Sequence, residues 1–373
     1  MQRYGHKKCC ASEIIPIGGS EIFPMAPCCF FVMRREKSDN LFCVSLHAEK
    51  QPKIEFMSVI AIDIGGTKIA GALFENDGRM MHQTKRLLEQ RSGDEVGDLA
   101  LEVIREILSV CPDTSEVDGV GVCIPGIVYS KTERVWAPNI AGWDNYPLAE
   151  YLRKGLPEFT VSICIESDRS CHILGEVWKG AAQGCDNAVF IAVGTGIGVG
   201  IYIDGKLLHG QDDIVGAVGW MALQPPYTSE YDACGCFESY ASGSGMGMQA
   251  RKMLQQDTTY NGPMRRKKIE EISAYDIFAH YPSGDPIAVA VLQKAIEFWG
   301  MASANLVSVL NPKKVIWGGG IFGPAKPFID DIYREAHRWA QPISISLTQF
   351  VASQVEEAGL LGAAYLVIRD IYS

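Results

Sequence analysis

No long run of lysines and arginines interrupts this 373-residue chain; the longest is RRKK at 265–268. Its 34 basic side chains are outnumbered by 44 acidic ones, for a formal net charge of −10. A surface of that sign repels phosphate backbones and anionic bilayers, which argues against nucleic acid or a membrane as the main partner. A small anionic ligand is still compatible, because a few backbone N–H groups and one or two cations bind phosphate locally. No uninterrupted apolar stretch reaches the roughly 20 residues that span a bilayer. The run FPMAPCCFFVM (23–33) is shorter, contains Pro24 and Pro27, and follows a polar start, so it has the form of neither a signal peptide nor an anchor. The sequence also lacks solenoid-length repeats and low-complexity segments.

Cysteine is not scarce, at 12 residues. Cys9, Cys10, Cys28, Cys29 and Cys43 fall in the first 56 residues, and the others are scattered. Several sit in apolar runs such as GVGVCIPG (119–126) and VSICIES (161–167). In a chain of this length, that distribution predicts reduced, buried thiols and a cytoplasmic location rather than a disulfide framework.

Residues 1–56 hold no sustained period of 2 or 3.6 and differ from all that follows. They are expected to be a disordered extension, or upstream sequence with Met57 as the true start. From Met57 the chain alternates strand-like and helical segments, the pattern of an α/β protein. MSVIAIDIGGTKIAGALF (57–74) and NAVFIAVGTGIGVGIYIDGKLL (187–208) each read as strand, glycine turn, strand, and have the form of duplicated halves. VDGVGVCIPG (117–126), VSICIESD (161–168) and KVIWGGGIFG (314–323) read as further strands. Segments 95–110, 168–180 and 356–372 have helical spacing. Asp285-Pro286 is a helix start, and that helix should end at Asn311-Pro312.

Three glycine-rich turns follow apolar strands. In DIGGTK (63–68), Gly65 and Gly66 let backbone approach a phosphate, Thr67 offers a hydroxyl and Lys68 a cation. Asp63, at the strand end, is a candidate to hold Mg²⁺ directly or through water. The Walker spacing G-x-x-x-x-G-K-[ST] is absent. VGTGIGVG (193–200) repeats the logic with Gly194, Thr195 and Gly196. The GGG at 318–320, with Gly319 and Gly320, could let an adenosine lie against backbone. Each turn alone could be a plain hairpin, but three in this order point to a nucleotide.

Together with these, IPG (124–126), APNIAGW (137–143), ESD (166–168), GCFESYASG (235–243) and NPKKVIWGGG (311–320) resemble the ROK family of bacterial sugar kinases and repressors. The resemblance runs from about residue 57 to the end. It implies the actin-like ATPase (ribonuclease H-like) architecture: an N-terminal α/β domain over 57–167, a larger one over 168–373, and a cleft between them. The terminal helix, about 356–372, would pack back on the first domain. The resemblance also implies ATP and Mg²⁺ as cofactors and a homodimer, while the absence of a nucleic-acid or membrane partner is the expectation from the charge balance. Asp168 matches the catalytic base that takes the proton of the attacking sugar hydroxyl. From the residue alone, Asp168 reads equally as a strand-end cap of the helix that follows. Gly126, Asn139 and Glu238 match sugar-binding positions, Glu238 near the anomeric end. Ser167 stands where an asparagine is usual, as a further substrate contact.

The family's zinc loop departs from its pattern here. That motif runs Gly-Glu-x-Gly-His and then Cys-x-Cys-Gly-x-x-Gly-Cys-x-Glu, with the histidine and three cysteines on zinc. In this chain those positions read Ala217 for the glutamate, Trp220 for the histidine, Ser229 and Tyr231 for two cysteines, and Cys236 for the third. Cys234 and Cys236 alone do not supply four N/S ligands, so zinc is not expected. The loop should be held by packing of Trp220, Met221, Pro225, Pro226, Tyr227, Tyr231 and Phe237. Trp220 reads either as a sugar-stacking ring at the pocket edge or as a core residue replacing the metal.

The leading expectation is ATP-dependent phosphorylation of a hexose or modified hexose at the 6-hydroxyl. A non-catalytic sugar-binding protein of the same fold is the alternative. A sugar-responsive repressor is disfavoured, because residues 1–56 offer no pair of periodic helices for a helix-turn-helix.

Overall fold

The computed structural model describes residues 58–372 apart from 112, 158, 160 and 161, together with the backbone of four short strands before them. These are β1 (Ile15–Ile17), β2 (Ser20–Met25), β3 (Cys29–Arg34) and β4 (Phe42–Ser45), paired antiparallel in that order. The expectation that 1–56 is an extension falls mostly on residues outside the described ones. Residues 56–373 form a separate compact unit.

That unit is built twice on one plan. Strands β5 (Ser58–Ile64), β6 (Lys68–Glu75) and β7 (Met80–Leu87) form an antiparallel meander. β8 (Val117–Ile124) and β11 (Ser162–Ser167) extend it in parallel from β5, giving the order β11-β8-β5-β6-β7. The second sheet repeats this with β12 (Ala188–Val193), β13 (Ile197–Ile203) and β14 (Lys206–Leu207) antiparallel, and β15 (Lys314–Gly318) and β16 (Gln349–Ala352) parallel to β12. Its order is β14-β13-β12-β15-β16. The two strand–glycine–strand segments of the sequence are the central hairpins of the two sheets. A small hairpin, β9 (Ile127–Tyr129) with β10 (Arg134–Trp136), follows β8.

Central strands read as continuous apolar runs because helices cover both faces. On the first sheet, α1 (Asp94–Val110) and α2 (Leu148–Gly155) bury Val103, Ile104, Ile107 and Leu152 with Ile60, Ile62 and Val122. The opposite face carries α3 (Asp168–Lys179) and α10 (Ala358–Tyr372), with Leu360, Ala363 and Val367 on Val59, Ala61 and Cys123. The approach there is close: a Cβ on Gly362 would lie 1.8 Å from the Cys171 carbonyl oxygen.

The second sheet is covered by α4 (Cys236–Ala241), α5 (Gly243–Gln256), α6 (Ala274–His280), α7 (Pro286–Leu310), α8 (Ile329–Trp339) and α9 (Pro342–Leu347). The side chain of Asp285 caps α7 on Ile287 N–H (3.1 Å) and Ala288 N–H (3.0 Å), and Asn311 ends it at φ 46°. By length and composition α7 could cross a membrane. Its most apolar window is 61% buried, and Phe298 and Trp299 sit in the core with Trp317, so it is a core helix.

The parallel strands of both sheets deliver their carboxyl ends to one cleft. Asp63 ends β5, Gly126 follows β8, Asp168 follows β11, Gly194 follows β12 and Gly319 follows β15. Ligands of open α/β sheets bind at this edge.

Candidate active site in the cleft

Three adjoining cavities open along these strand ends. The largest of the three, about 610 Å³, is lined by Gly126, Asn139, Asp168, Glu238 and Trp220 together with Gly194, Thr195, Gly196 and Gly319. A second, about 380 Å³, takes in Asp63, Gly319, Gly320 and Ser353. A third, about 410 Å³, lies between Gly194, Thr195 and Gly320 and the start of α5 at Gly243 and Ser244. Residues far apart in the sequence therefore meet around the Gly194 and Gly319 turns.

Asp168 is the first residue of α3, but it does not cap the helix. Ser167 does: its hydroxyl accepts from Ser170 N–H at 3.3 Å. The cap satisfies one orphan donor of the first turn and leaves the Asp168 carboxyl on the cleft wall, where it accepts from Arg169 N–H at 2.8 Å. Ser167 itself is buried and is not among the residues lining this cavity. Its side chain is spent on the helix rather than turned toward a ligand.

Glu238 sits in the first turn of α4 and accepts from Ile197 N–H at 2.6 Å. Burial pushes its carboxyl above the ordinary value, and the Ile197 N–H works against that rise. Gly196 and Gly219 make room for it, since a Cβ at either would come within 2.8 Å of its oxygen. Asp63 is likewise raised by burial, with the nearby His172 opposing the rise. A Cβ on Gly359, at the start of α10, would lie 2.6 Å from the Asp63 carboxyl.

The glycine turns differ in what they offer. Gly319 has φ +88°, and a Cβ there would meet the Val193 carbonyl oxygen at 2.5 Å. Gly194 and Gly320 have open space where a Cβ would be. Ser244 Oγ donates to the Thr195 carbonyl and Gly243 N–H to the Gly194 carbonyl (2.8 Å). The N-terminus of α5, with its partial positive charge, is thereby tied to the turn. These features fit a phosphate-bearing ligand. Gly65, Gly66, Thr67 and Lys68 form the β5–β6 turn, closed by Gly65 N–H on the Lys68 carbonyl at 2.8 Å, and line none of the three cavities. Gly66 instead backs Asn139, whose Cβ would be 3.1 Å from an added Cβ.

The zinc-loop segment resolves part of the ambiguity over Trp220. Its side chain is 57% exposed and lines the large cavity, so it is not a core residue. Tyr227 is 73% exposed as well. The expected packing of the loop therefore falls to Tyr231, Cys236 and Phe237, which are buried, with Met221 partly so. Cys234 Sγ pairs with Ser239 Oγ at 3.3 Å. Among the described residues, no group of three or more His, Cys, Asp or Glu side chains is placed to hold a metal ion.

Sequence reasoning passed over His172 and Arg169. Both line the large cavity, and His172 also lines the one that holds Asp63. His172 Nδ1 is buried without a hydrogen-bond partner. Its position four residues after Asp168 on a helix was the available signal, because i and i+4 share a face. Glu176 was missed too. It is fully buried and accepts from Ala181 N–H (2.6 Å), Ser353 Oγ (2.5 Å) and Gln354 N–H (3.1 Å), which fixes the segment bordering the Asp63 cavity.

Known proteins share this arrangement. The glucokinase of Thermotoga maritima is 29% identical over 324 residues, 84% of this chain and 98% of its own. A crystal structure of a ROK family glucokinase from Streptomyces griseus, in complex with glucose and AMPPNP, superposes with TM-score 0.67 at 28% identity, covering 83% of this chain and 98% of that one. The xylose repressor of Caldicellulosiruptor bescii is 25% identical, over 85% of this chain and 79% of its own. The paired sheets, with their shared cleft, are the actin-like ATPase architecture that the motifs imply. The ROK family model matches residues 59–370, nearly all of the compact unit. The chain belongs to the ROK family.

Proposed function

We propose that this protein is an ATP-dependent sugar kinase that phosphorylates a hexose or modified hexose, at the 6-hydroxyl, with Asp168 as general base. The observation that carries the reading is the place of Asp168: on the wall of the large cavity that the Gly194 and Gly319 turns also line, with the helix capped by Ser167 instead. The glucokinase relatives support it.

Phosphoryl transfer asks the protein mainly for positioning and charge stabilisation. Asn139 and Glu238 hold the sugar hydroxyls, since each buried hydroxyl left unpaired costs about 1–3 kcal/mol. Asp168 takes the proton of the attacking hydroxyl, which requires hydrogen-bond reach. Backbone N–H groups at Thr195, Gly319 and Gly320 hold ATP phosphates, helped by the α5 N-terminus, while Gly194, whose own N–H donates to the Gly196 carbonyl at 2.9 Å, lets the phosphates approach the turn. The turn of Gly65, Gly66, Thr67 and Lys68 lines none of the cavities, so its share in this reading is to back Asn139 through Gly66, and Gly196 makes room for Glu238. Asp63 would hold Mg²⁺, directly or through water, and the ion would supply positive charge to the phosphates. A cytoplasmic location and a homodimer belong to the same proposal.

A non-catalytic sugar-binding protein is the second reading, favoured by Ala217 and Trp220 on the cavity wall. The test is ADP release by the full chain with Mg-ATP and glucose, mannose, fructose, allose, glucosamine, N-acetylglucosamine or N-acetylmannosamine. Sugar-dependent release that Asp168→Asn lowers by at least about 10²-fold is expected. Sugar binding by calorimetry without turnover, the same in Asp168→Asn, would establish the second reading instead.

A further inference from the structure

Beside the large cavity lies another of about 380 Å³, walled by Trp220, Leu223, Pro225, Tyr227, Tyr231 and Cys236. Trp220 lines both, so the two adjoin at this residue. Three of those wall positions (Trp220, Tyr231, Cys236) are ones the family pattern gives to zinc ligands. Here they enclose an aromatic pocket. We propose that this pocket receives an aromatic group carried on the anomeric oxygen of the sugar, which makes the preferred acceptor an aryl glycoside rather than a free sugar. The inference rests on the kinase reading only for the orientation of the sugar.

Two observations point to an occupant. Trp220 and Tyr227 are 57% and 73% exposed, yet they face a shared concavity rather than scattering over the surface. Exposed aromatic surface gathered in a concavity marks a binding site. The wall is also braced. Tyr227 packs edge-on against Tyr231 (5.9 Å, 81°), Tyr231 against Tyr240 (6.2 Å) and Tyr240 against Phe298 in the core (4.6 Å). A ring entering the pocket meets rings already ordered, so little side-chain entropy is lost on binding.

Position selects the class of ligand. Cys236 walls the pocket and Glu238 walls the sugar cavity, from the same turn of α4. With Glu238 at the anomeric end of the sugar, a substituent on the anomeric oxygen leaves the cleft past Trp220 into this pocket. Its wall offers planar apolar faces, which suit an aryl group through stacked or edge contacts.

The test compares phenyl and methyl glycosides, both anomers, of glucose, mannose and N-acetylglucosamine. Binding is measured by calorimetry with AMPPNP present, and turnover by ADP release. At least one phenyl glycoside should bind about tenfold or more tightly than its methyl counterpart. Tyr227→Ala should remove that difference while leaving the methyl glycoside unchanged, and Tyr227→Phe should keep it. Phenyl and methyl glycosides that bind alike, a preference that survives Tyr227→Ala, or no phenyl glycoside binding at all would each overturn the proposal. A phenyl preference in binding without ADP release would uphold the pocket and defeat the kinase reading. Turnover of methyl glycosides with no phenyl preference would do the reverse.

Discussion

Replacing Glu176 with alanine should destabilise the protein far more than its distance from the cleft cavities suggests. The carboxyl group is fully buried and serves Ala181 N–H, Ser353 Oγ and Gln354 N–H at 2.6, 2.5 and 3.1 Å. Removing it orphans three donors, and a buried unpaired donor costs about 1–3 kcal/mol. Water entering the vacated space recovers part of this, so the net loss should be about 3–5 kcal/mol, a large share of the ~5–15 kcal/mol that holds a domain folded. Glu176→Gln should lose less, about 1–3 kcal/mol, because one oxygen still accepts while the new amide NH₂ opposes a donor. Urea unfolding followed by tryptophan fluorescence reads both. Ser353 borders the Asp63 cavity, so the alanine variant should also bind AMPPNP more weakly. An alanine variant within about 0.5 kcal/mol of wild type would refute the reasoning, since that is the range of ordinary surface substitutions.

Two further outcomes are expected. Gly319→Ala forces a side chain onto a φ of +88° and a Cβ to 2.5 Å from the Val193 carbonyl, a strain of about 1–3 kcal/mol. It should weaken AMPPNP binding by about tenfold or more in calorimetry and leave sugar binding nearly intact. His209 is 2.6 Å from Glu166, and that hydrogen bond raises its pKa above the usual 6.5. Its stabilisation is therefore complete below the unfolded-state value and is lost as pH rises through the raised one. Thermal melts across that window should show a decline in the wild type that His209→Gln lacks.

The parts of the site written in contiguous sequence were legible. A run such as SVIAIDI followed by glycines reads as a buried strand ending in a tight turn, and all three such turns lie at strand ends of the two sheets. The repeated order β7-β6-β5-β8-β11 and β14-β13-β12-β15-β16 was foreshadowed by two similar hairpins. What the sequence hid depends on distant segments. Nothing near Glu176 says that residues 353–354 will supply its donors. Nothing in AGLLG says that Gly359 will press on Asp63. Trp220 was ambiguous because an aromatic side chain serves a core or a rim equally well. Only the position of the backbone decides, and here it leaves the indole more than half exposed.

The three departures from the family pattern around the proposed sugar site are not equivalent. Serine and asparagine are both strong helix caps, and Ser167 spends its hydroxyl on Ser170 N–H. That exchange preserves the first turn of α3 and with it the placement of Asp168 and His172. Ala217 and Trp220, by contrast, stand on the cavity wall itself. One removes a carboxylate, and the other puts an exposed indole where an imidazole would bind metal. Both changes lie on the side of Glu238 and the aromatic pocket. Asp168, Asn139 and the glycine turns are intact. Under the kinase reading, the altered residues face the end of the sugar farthest from the transferred phosphoryl group. They should therefore change which acceptor is taken, seen in KM, before they change the rate of transfer to a good acceptor, seen in kcat.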